Sequence, residues 1–212
     1  MEGEKKVNAL QTLKTYFGYD TFREGQESIV ESILEHRDVL AIMPTGAGKS
    51  ICYQIPALML KGITIVISPL ISLMQDQVKA LNEAGIHAAF INSSLTENQI
   101  SKALYLAAGG RYKIIYVAPE RLENYEFLEF ARHVEISMVT VDEAHCISQW
   151  GQDFRLSYLK IVEFVRNLPT RPIVSAFTAT ATEEVKNDIL CTLNLSDPEV
   201  VVTVFDRKNL YY

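Results

Sequence analysis

The chain has 212 residues, of which 48% are hydrophobic and 22% are charged, and this composition is ordinary for a globular protein of one domain. A formal net charge of −6 argues mildly against a nucleic-acid partner. The three cysteines lie far apart and form no CxxC pair, so neither a disulfide framework nor a zinc site follows from them, and a reducing compartment is favoured. The first residues lack the apolar run of a signal peptide, and no apolar stretch approaches the roughly 20 residues of a membrane span.

Short, β-rich apolar runs alternate along the chain with longer segments of helical period. The predicted strands are residues 38–43, 63–68, 87–91, 113–118, 137–143, 172–179 and 201–205. Helices are predicted between them, for example at 50–61 and at 71–85, where Gly85 is a stop signal. Near-continuous apolar strands that alternate with helices are typical of a parallel sheet covered on both faces. The pattern therefore predicts one α/β domain over residues 1–212, with three layers and a mainly parallel central sheet.

The string MPTGAGKS, residues 43–50, follows the first predicted strand and opens a predicted helix. Its glycines allow conformations in which backbone N–H groups surround an anion, and a helix N-terminus adds partial positive charge. Lys49 would reach the β- and γ-phosphates of a nucleotide, and the Ser50 hydroxyl would bind Mg²⁺. The generic pattern has glycine where this chain has Met43, and a tight turn that caps an ordinary helix is the alternative. The candidate ATP-binding residues of this loop are Pro44, Thr45, Gly46, Ala47, Gly48, Lys49 and Ser50.

The string MVTVDEAH is an apolar strand that ends in Asp142 and Glu143. Ligands of open α/β sheets bind at the carboxyl ends of the strands. Asp142 would therefore share the Mg²⁺ with Ser50, partly through water, and Glu143 would polarise the water that attacks the γ-phosphate. The alternative is a strand that ends in solvated acids. On residue type alone, His145 could be a packing residue.

These two strings resemble the first RecA-like domain of superfamily-two helicases, specifically the RecQ family of DNA helicases, from about residue 8 to the end of the chain. The stretch FGYDTFREGQ, residues 17–26, is similar to motif zero of that family. The resemblance implies that adenine stacks between Tyr19 and Arg23 and that Gln26 bonds the edge of the base. Read without the resemblance, these three residues look like a polar helix start. With it, the candidate catalytic residues are Lys49, Asp142, Glu143 and His145.

Three further strings resemble motifs along the single-stranded DNA path of that family. SPLISLMQDQ (68–77) is similar to motif Ia, APERL (118–122) to motif Ib, and FTATAT (177–182) to motif III. The resemblance implies mostly backbone contacts to DNA for the first two, and for the third a relay from the nucleotide to the DNA groove. Otherwise the first two are plain strand-to-helix turns, and the third is a strand end with an N-cap at Thr182. The candidate residues are Ser68, Pro69, Glu120, Arg121, Thr178 and Thr180.

The only tryptophan of the chain lies in SQWGQDFR, residues 148–155, just after the acidic string. The RecQ family carries an aromatic-rich loop at this place. The resemblance implies that Trp150 and Phe154 stack on unpaired bases, while Arg155 pairs with a phosphate or bridges towards the nucleotide. Such a loop would report DNA occupancy to Glu143. The alternative is that the two aromatic residues anchor an ordinary loop in the core.

The resemblance implies an ATP-dependent, 3′-to-5′ DNA helicase of recombination and repair, with ATP and Mg²⁺ as cofactors and single-stranded or forked DNA as its partner. Residues 205–212 resemble the start of the connection to a second RecA-like domain, which normally supplies an arginine finger, so we expect the chain to be part of a longer protein. We expect a monomer without membrane contact, cytoplasmic and nucleoid-associated in a bacterium or nuclear in a eukaryote. Two alternatives stay open: a nucleotide- and DNA-binding module without useful turnover, and an RNA helicase of the DEAD or DEAH kind.

Overall fold

Seven β-strands form one sheet in the computed structural model, which describes the backbone of residues 2–146 and 151–203 and the side chains of 8–146 and 159–203. They are β1 (Val39–Ile42), β2 (Ile63–Ile67), β3 (Ala88–Ile91), β4 (Ile114–Val117), β5 (Ile136–Val141), β6 (Ile173–Thr178) and β7 (Glu199–Val202). Their order across the sheet is β3-β4-β2-β5-β6-β1-β7, and every neighbouring pair is parallel. The predicted α/β class with a mainly parallel sheet is confirmed.

In the described residues, α-helices cover both faces of the sheet. They are α1 (Glu2–Phe17), α2 (Gln26–Leu34), α3 (Lys49–Met59), α4 (Ile71–Glu83), α5 (Glu97–Ala108), α6 (Tyr125–His133), α7 (Gly151–Asn167) and α8 (Glu183–Thr192), with a 3₁₀ turn at Pro119–Arg121. Helices α1–α4 and α5–α8 pack on opposite faces, each set with its own cluster of buried side chains. Because alternate residues of each strand enter opposite clusters, as Val39 and Leu40 do, the strands are near-continuous apolar runs. No described helix combines the length and the apolar composition that crossing a bilayer requires.

The first six predicted strands begin and end within two residues of the observed ones. The seventh begins earlier than predicted because Glu199 pairs in register with Val39 of β1. The N–H of Glu199 donates to the Asp38 carbonyl at 2.9 Å, and its carboxylate pairs with Arg37. These contacts make an acidic residue part of the strand.

The carboxyl ends of β1, β2, β5 and β6 are tied together by backbone hydrogen bonds just beyond the strands. Met43 N–H donates to the Thr178 carbonyl at 2.9 Å, which joins the exits of β1 and β6. Asp142 N–H donates to Ile67 and Ala144 N–H to Phe177, both at 2.9 Å. The phosphate-loop string, the acidic string and the motif III string therefore leave the sheet side by side.

At the amino ends of the strands, one buried carboxylate joins three elements. It belongs to Asp38, which is 2% exposed. It accepts hydrogen bonds from the N–H groups of Val174 and Ser196, both at 2.8 Å, and it pairs with Arg171. A carboxylate can be buried here because several donors satisfy its oxygens. Asp38 thus joins the start of β1, the start of β6 and the turn before β7.

Candidate nucleotide site at the carboxyl edge of the sheet

Residues 43–48 connect β1 to α3 as a tight loop suited to an anion. Gly46 and Gly48 have φ of +84° and +81°, in the left-handed region that favours glycine. Helix α3 begins at Lys49 without a capping side chain, so no side chain competes with a ligand for its first N–H groups. Met43, the departure from the generic pattern, is fully buried and its backbone continues the sheet. It is therefore a core residue directly after β1.

The carbonyls of this loop are held from outside by the motif zero residues. Arg23 Nη1 donates to the Gly46 carbonyl at 2.7 Å, and Gln26 Nε2 donates to the carbonyls of Ala47 and Gly48 at 2.9 and 3.2 Å. Gln26 Oε1 accepts the Arg23 N–H at 2.9 Å, and the Gln26 residue is only 2% exposed. Both ends of the Gln26 amide are thus engaged within the fold. Bonding of Gln26 to the edge of adenine stays a prediction.

Tyr19 and Arg23 lie next to each other at the surface, as the predicted adenine platform requires. Tyr19 is 48% exposed, which leaves its ring open to a ligand. The guanidinium carbon of Arg23 is 6.0 Å from the centre of that ring. The structure therefore brings both stacking candidates together with Gln26 beside the phosphate loop.

Asp142, the first residue of the acidic pair, lies in an environment that opposes its negative charge. Asp142 is 7% exposed, and burial, followed by the neighbouring Glu143, raises its pKa from the ordinary 3.8 to about 6. The Glu143 N–H, which donates to Asp142 Oδ1 at 3.0 Å, and the charge of Lys49 oppose this rise. Glu143 has φ of +50°, which is strained for a residue with a side chain. The fold thus holds the charge of the Asp142 carboxylate with incomplete compensation.

A divalent cation fits this place because it would supply the positive charge that Asp142 lacks. The ammonium of Lys49 is nearby and donates to the Met43 carbonyl at 3.2 Å. Within the described residues, no group of three or more acidic, histidine or cysteine side chains forms a metal cage. Mg²⁺ would therefore be held by Asp142 and Ser50 together with water and phosphate oxygens, a ligand set that it prefers.

His145 joins the acidic string to the motif III string. Its Nδ1 lies 2.9 Å from Thr178 Oγ1 and 3.3 Å from Glu143 Oε2. The Thr178 hydroxyl donates its only proton to the Thr180 carbonyl at 3.1 Å, so Nδ1 must be the donor to Thr178. The histidine therefore contacts residues of two predicted motifs, and its role as a site residue stays a prediction beside the packing alternative.

The DNA-path candidates after β2 and β4 differ in exposure. Ser68 is 1% exposed, so a ligand would reach its backbone rather than its hydroxyl, whereas Pro69 is half-buried and Glu120 exposed. Arg121 Nη1 is 3.8 Å from Glu97 Oε1, and its buried Nε has no hydrogen-bond partner in the described part of the chain. The sequence-based assignment of these residues to a DNA path stays a prediction.

The aromatic-rich loop lies mainly outside the described residues. Trp150 is outside them, and Phe154 and Arg155 lie in the first eight residues of α7, for which only the backbone is described. Their assignment as a DNA sensor stays a prediction.

Sequence reasoning missed two residues next to the phosphate loop, Tyr53 and Gln54. They are 1% and 3% exposed. Tyr53 lies three residues after Ser50, the predicted Mg²⁺ ligand on α3, and Ser50 influences its pKa. The available signal was a pair of polar side chains inside the otherwise apolar helix 50–61. A polar group at a core position requires a partner, and the partner cannot be identified without the fold.

Comparison with known proteins agrees with this geometry. The chain matches the DEAD/DEAH box helicase family over residues 23–188. It is 51% identical over 205 residues to the ATP-dependent DNA helicase RecQ of Bacillus subtilis (strain 168), which covers 96% of this chain and 35% of that protein. It is 44% identical over 210 residues to a protein of Acanthamoeba polyphaga mimivirus whose name includes ATP-dependent RNA helicase, covering 98% of this chain and 37% of that protein. The similarity to RecQ relatives that the motifs predicted is confirmed.

The chain spans about a third of the length of the RecQ relatives from Bacillus subtilis, Pasteurella multocida and Haemophilus influenzae. Among solved structures, the crystal structure of DUF1998 helicase MrfA bound to DNA has a TM-score of 0.74 and 16% identity, over 92% of this chain and 29% of that chain. At this identity the likeness concerns the fold alone. It confirms the predicted RecA-like arrangement of three layers.

Proposed function

This chain belongs to the DEAD/DEAH box helicase family, and on that premise we propose that it is the first motor domain of a RecQ-like, ATP-dependent DNA helicase. The proposal includes 3′-to-5′ movement on single-stranded or forked DNA, Mg–ATP as the energy source, and a role in recombination and repair. The observation that carries it is the convergence of Lys49 after β1 with Asp142 and Glu143 after β5 at one edge of the sheet.

The residues of the site divide the work of phosphoryl transfer between them. The N–H groups at the start of α3 and the Lys49 ammonium would bind the phosphates, and the charge of Lys49 would offset their negative charge. Asp142 and Ser50 would hold Mg²⁺, which when bound supplies further charge neutralisation. Glu143 would orient the attacking water and accept its proton. Tyr19 and Arg23 would hold the base.

Coupling to DNA would run through His145. The same imidazole nitrogen contacts the Glu143 carboxylate and the Thr178 hydroxyl, and that hydroxyl donates to the Thr180 carbonyl. A change in the turn after β6 would therefore move the imidazole and with it the carboxylate that accepts the proton. DNA bound along the carboxyl edge would influence hydrolysis by this route.

The proposal is tested by ATP hydrolysis with and without single-stranded DNA, in the 212-residue chain and in a protein that joins it to a second RecA-like domain. We expect the chain alone to hydrolyse Mg–ATP very slowly, because an arginine finger from the second domain contributes about 10³–10⁵ in rate. DNA should stimulate the two-domain protein. Equal turnover numbers for the two proteins would mean that no catalytic group comes from the second domain. If the chain binds no nucleotide, the proposed helicase function is rejected.

An RNA helicase is a second candidate, favoured by the name of the mimivirus relative. Single strands of DNA and RNA of matched sequence should be compared for their stimulation of ATP hydrolysis by the two-domain protein. We expect DNA to stimulate more strongly, in line with the relatives named as DNA helicases. Stronger stimulation by RNA would reverse the assignment.

A further inference from the structure

Four polar side chains connect the helix of the phosphate loop to helix α4 beneath the nucleotide site. They are Tyr53 and Gln54 on α3, Tyr116 on β4 and Gln77 on α4, and we call them the tyrosine–glutamine chain. The two tyrosines are each 1% exposed and Gln54 is 3% exposed. Both tyrosines belong to the apolar cluster between α1–α4 and the sheet. The steps assigned above to the phosphate loop and the acidic pair use none of the four.

The tyrosine–glutamine chain is continuous from α4 to α3. The Gln54 amide donates one N–H to Gln77 Oε1 at 3.0 Å and the other to the Tyr116 hydroxyl at 3.1 Å. The hydroxyls of Tyr116 and Tyr53 lie 3.4 Å apart, at the long end of hydrogen-bond distances. Because Tyr116 accepts from Gln54, its own proton is available to Tyr53. Tyr53 follows Ser50 by three residues, so the two side chains lie on the same face of α3, and Ser50 acts to lower the pKa of Tyr53.

The charge of Asp142 reaches both phenols. Burial raises the pKa of Tyr53 well above its ordinary value, and it raises the pKa of Tyr116 to about 12, with Asp142 adding to both increases. Both hydroxyls are therefore neutral at physiological pH, and the field of Asp142 favours orientation of their O–H dipoles towards the site. A cation bound at Asp142 would weaken or reverse that field. A change of charge at the nucleotide site would therefore act on the near end of the tyrosine–glutamine chain.

The far end of the tyrosine–glutamine chain lies on helix α4. Gln77 is the last residue of the string SPLISLMQDQ, and α4 begins shortly after Ser68 and Pro69 at the exit of β2. Met74 and Val78 on the same helix are buried, so packing fixes α4 against the sheet. Displacement of α4 relative to α3 would stretch the bond between Gln77 and Gln54. That bond therefore depends on the placement of the predicted DNA path.

Packing alone does not require these polar groups. Apolar side chains of the same shape can replace both partners of a buried hydrogen bond at little or no cost, whereas a partly satisfied network is costly. A fully connected network instead specifies one relative placement of the elements that it joins. Here those elements carry the phosphate loop and the motif Ia string.

We propose that the tyrosine–glutamine chain is a positioning relay, by which occupancy of the nucleotide site changes the placement of α4 and so the affinity of the protein for single-stranded DNA. The inference rests on the proposed function and adds a named route for its regulation. By thermodynamic linkage, the same route lets DNA change the affinity for nucleotide. The four residues act through Ser50, Asp142 and α4, and none of them touches the reacting atoms.

The test measures a coupling ratio in the two-domain protein. The Kd for a fluorescent oligo-dT strand is measured with and without Mg²⁺ and a non-hydrolysable ATP analogue, and the larger of the two Kd values is divided by the smaller. The relay variants are Tyr116→Phe and Gln77→Leu, alone and combined. Matched controls are Tyr105→Phe on α5, where the residue is 80% exposed, and Gln11→Leu on α1, where it is also exposed. Melting temperatures are recorded for every variant.

We expect each relay variant to lower the coupling ratio by about threefold to thirtyfold. The Kd for DNA without nucleotide should change by about twofold or less, as for sites that do not contact the ligand. The double variant should lose no more than the stronger single variant, because both interrupt one chain. The controls should retain the ratio of the unmodified protein.

A purely structural role would lower the melting temperature and leave the ratio intact, and that result overturns the relay while the proposed function stands. Additive losses in the double variant would also overturn it. Tyr116→Phe keeps the shape of the side chain and Gln77 is only half-buried, so we expect both variants to fold. A coupling ratio equal to that of the unmodified protein, in either folded variant, is then sufficient to overturn the relay. If the unmodified protein binds neither the nucleotide analogue nor DNA, the proposed function itself fails and the relay fails with it.

Discussion

At the residue scale, the fold disfavours the ionised form of Asp142, which is the form present at neutral pH. Its pKa of about 6 in the fold lies above its ordinary 3.8, so the folded protein binds a proton more tightly than the unfolded chain does between these values. The stability that the fold gains from the protonated Asp142 carboxyl is fully present below pH 3.8, falls as pH rises through about 6, and is absent above that. The ionised carboxylate then costs about 3 kcal/mol. A cation bound at Asp142, as proposed, would offset this cost.

Asp142→Asn should therefore stabilise the ligand-free chain at pH 7.5 by up to about 3 kcal/mol while weakening Mg–nucleotide binding. Urea unfolding at several pH values measures the first effect, and the gain should shrink to zero towards pH 4 because the wild-type carboxyl is then protonated. Asp76→Asn, at an exposed position on α4, is the control and should show no such trend. A variant less stable than the wild type at pH 7.5 would contradict the assignment of Asp142 as an incompletely compensated charge.

Glu143 and Lys49 should separate hydrolysis from binding. Glu143→Gln in the two-domain protein should leave nucleotide affinity largely intact and abolish turnover, because it removes the proton acceptor and preserves the shape. Lys49→Ala should also abolish hydrolysis, by removing charge from the phosphates. Steady-state ATP hydrolysis and equilibrium binding of a fluorescent nucleotide distinguish the two variants. Normal hydrolysis in Glu143→Gln would show that another group accepts the proton.

Residue identities were sufficient to form the hypotheses of a phosphate loop and an acidic pair, because the residues of each lie within one short string. The same reasoning could not predict that Gln26 bonds the carbonyls of Ala47 and Gly48, since that contact spans more than 20 positions along the chain. It also missed the bond from Gln54 to Tyr116, which lies 62 positions away and exists only because α3 packs on β4. Side chains that join separate elements become visible only with the fold.

At the element scale, the phosphate loop offers a matched pair of glycines. Both have positive φ, but a Cβ at Gly48 would lie 2.5 Å from Gln26 Nε2, whereas a Cβ at Gly46 meets no atom within 4 Å. Gly46→Ala should cost about 1–2 kcal/mol of unfolding free energy through backbone strain alone. Gly48→Ala should cost more, because it also displaces the buried Gln26 amide from its two carbonyls, and it should weaken nucleotide binding.

Urea unfolding and nucleotide titration of the chain measure both effects. Gln26→Ala provides the double-mutant test, since in that background Gly48→Ala should cost no more than Gly46→Ala does. An undiminished excess cost for Gly48→Ala would mean that contact with Gln26 is not the cause.

The strands themselves could be predicted from the periodicity of the sequence, as the first six show. The start of β7 could not, because Glu199 joins the sheet through its contacts with Asp38 and Arg37 rather than through apolar character.

At the scale of the whole molecule, the acidic charge and the proposed DNA partner must be reconciled. The net charge of −6 gives this chain no general attraction to phosphates. Binding would then depend on a few placed contacts and on stacking, with much of the positive surface contributed by the remainder of a longer protein. Among the candidates on the DNA path, Arg121 and Arg155 are the two cations, and only Arg121 has a described side chain. If this chain contributes only two cations to the DNA path, its affinity for DNA should depend weakly on salt concentration.

The logarithm of the binding constant for single-stranded DNA should fall with the logarithm of salt concentration with a slope of about −0.7 per phosphate neutralised. For the 212-residue chain, two contacts give a slope of about −1.4, and the two-domain protein should give a steeper one. Arg121→Gln should reduce the magnitude by about 0.7, because it removes one phosphate contact. Arg132→Gln, on α6 and paired with Glu129, is the control and should leave the slope unchanged. Fluorescence anisotropy of an oligo-dT strand between low and moderate salt measures all four proteins. A slope for the chain alone as steep as that of the two-domain protein would mean that this acidic domain carries the whole DNA-binding surface.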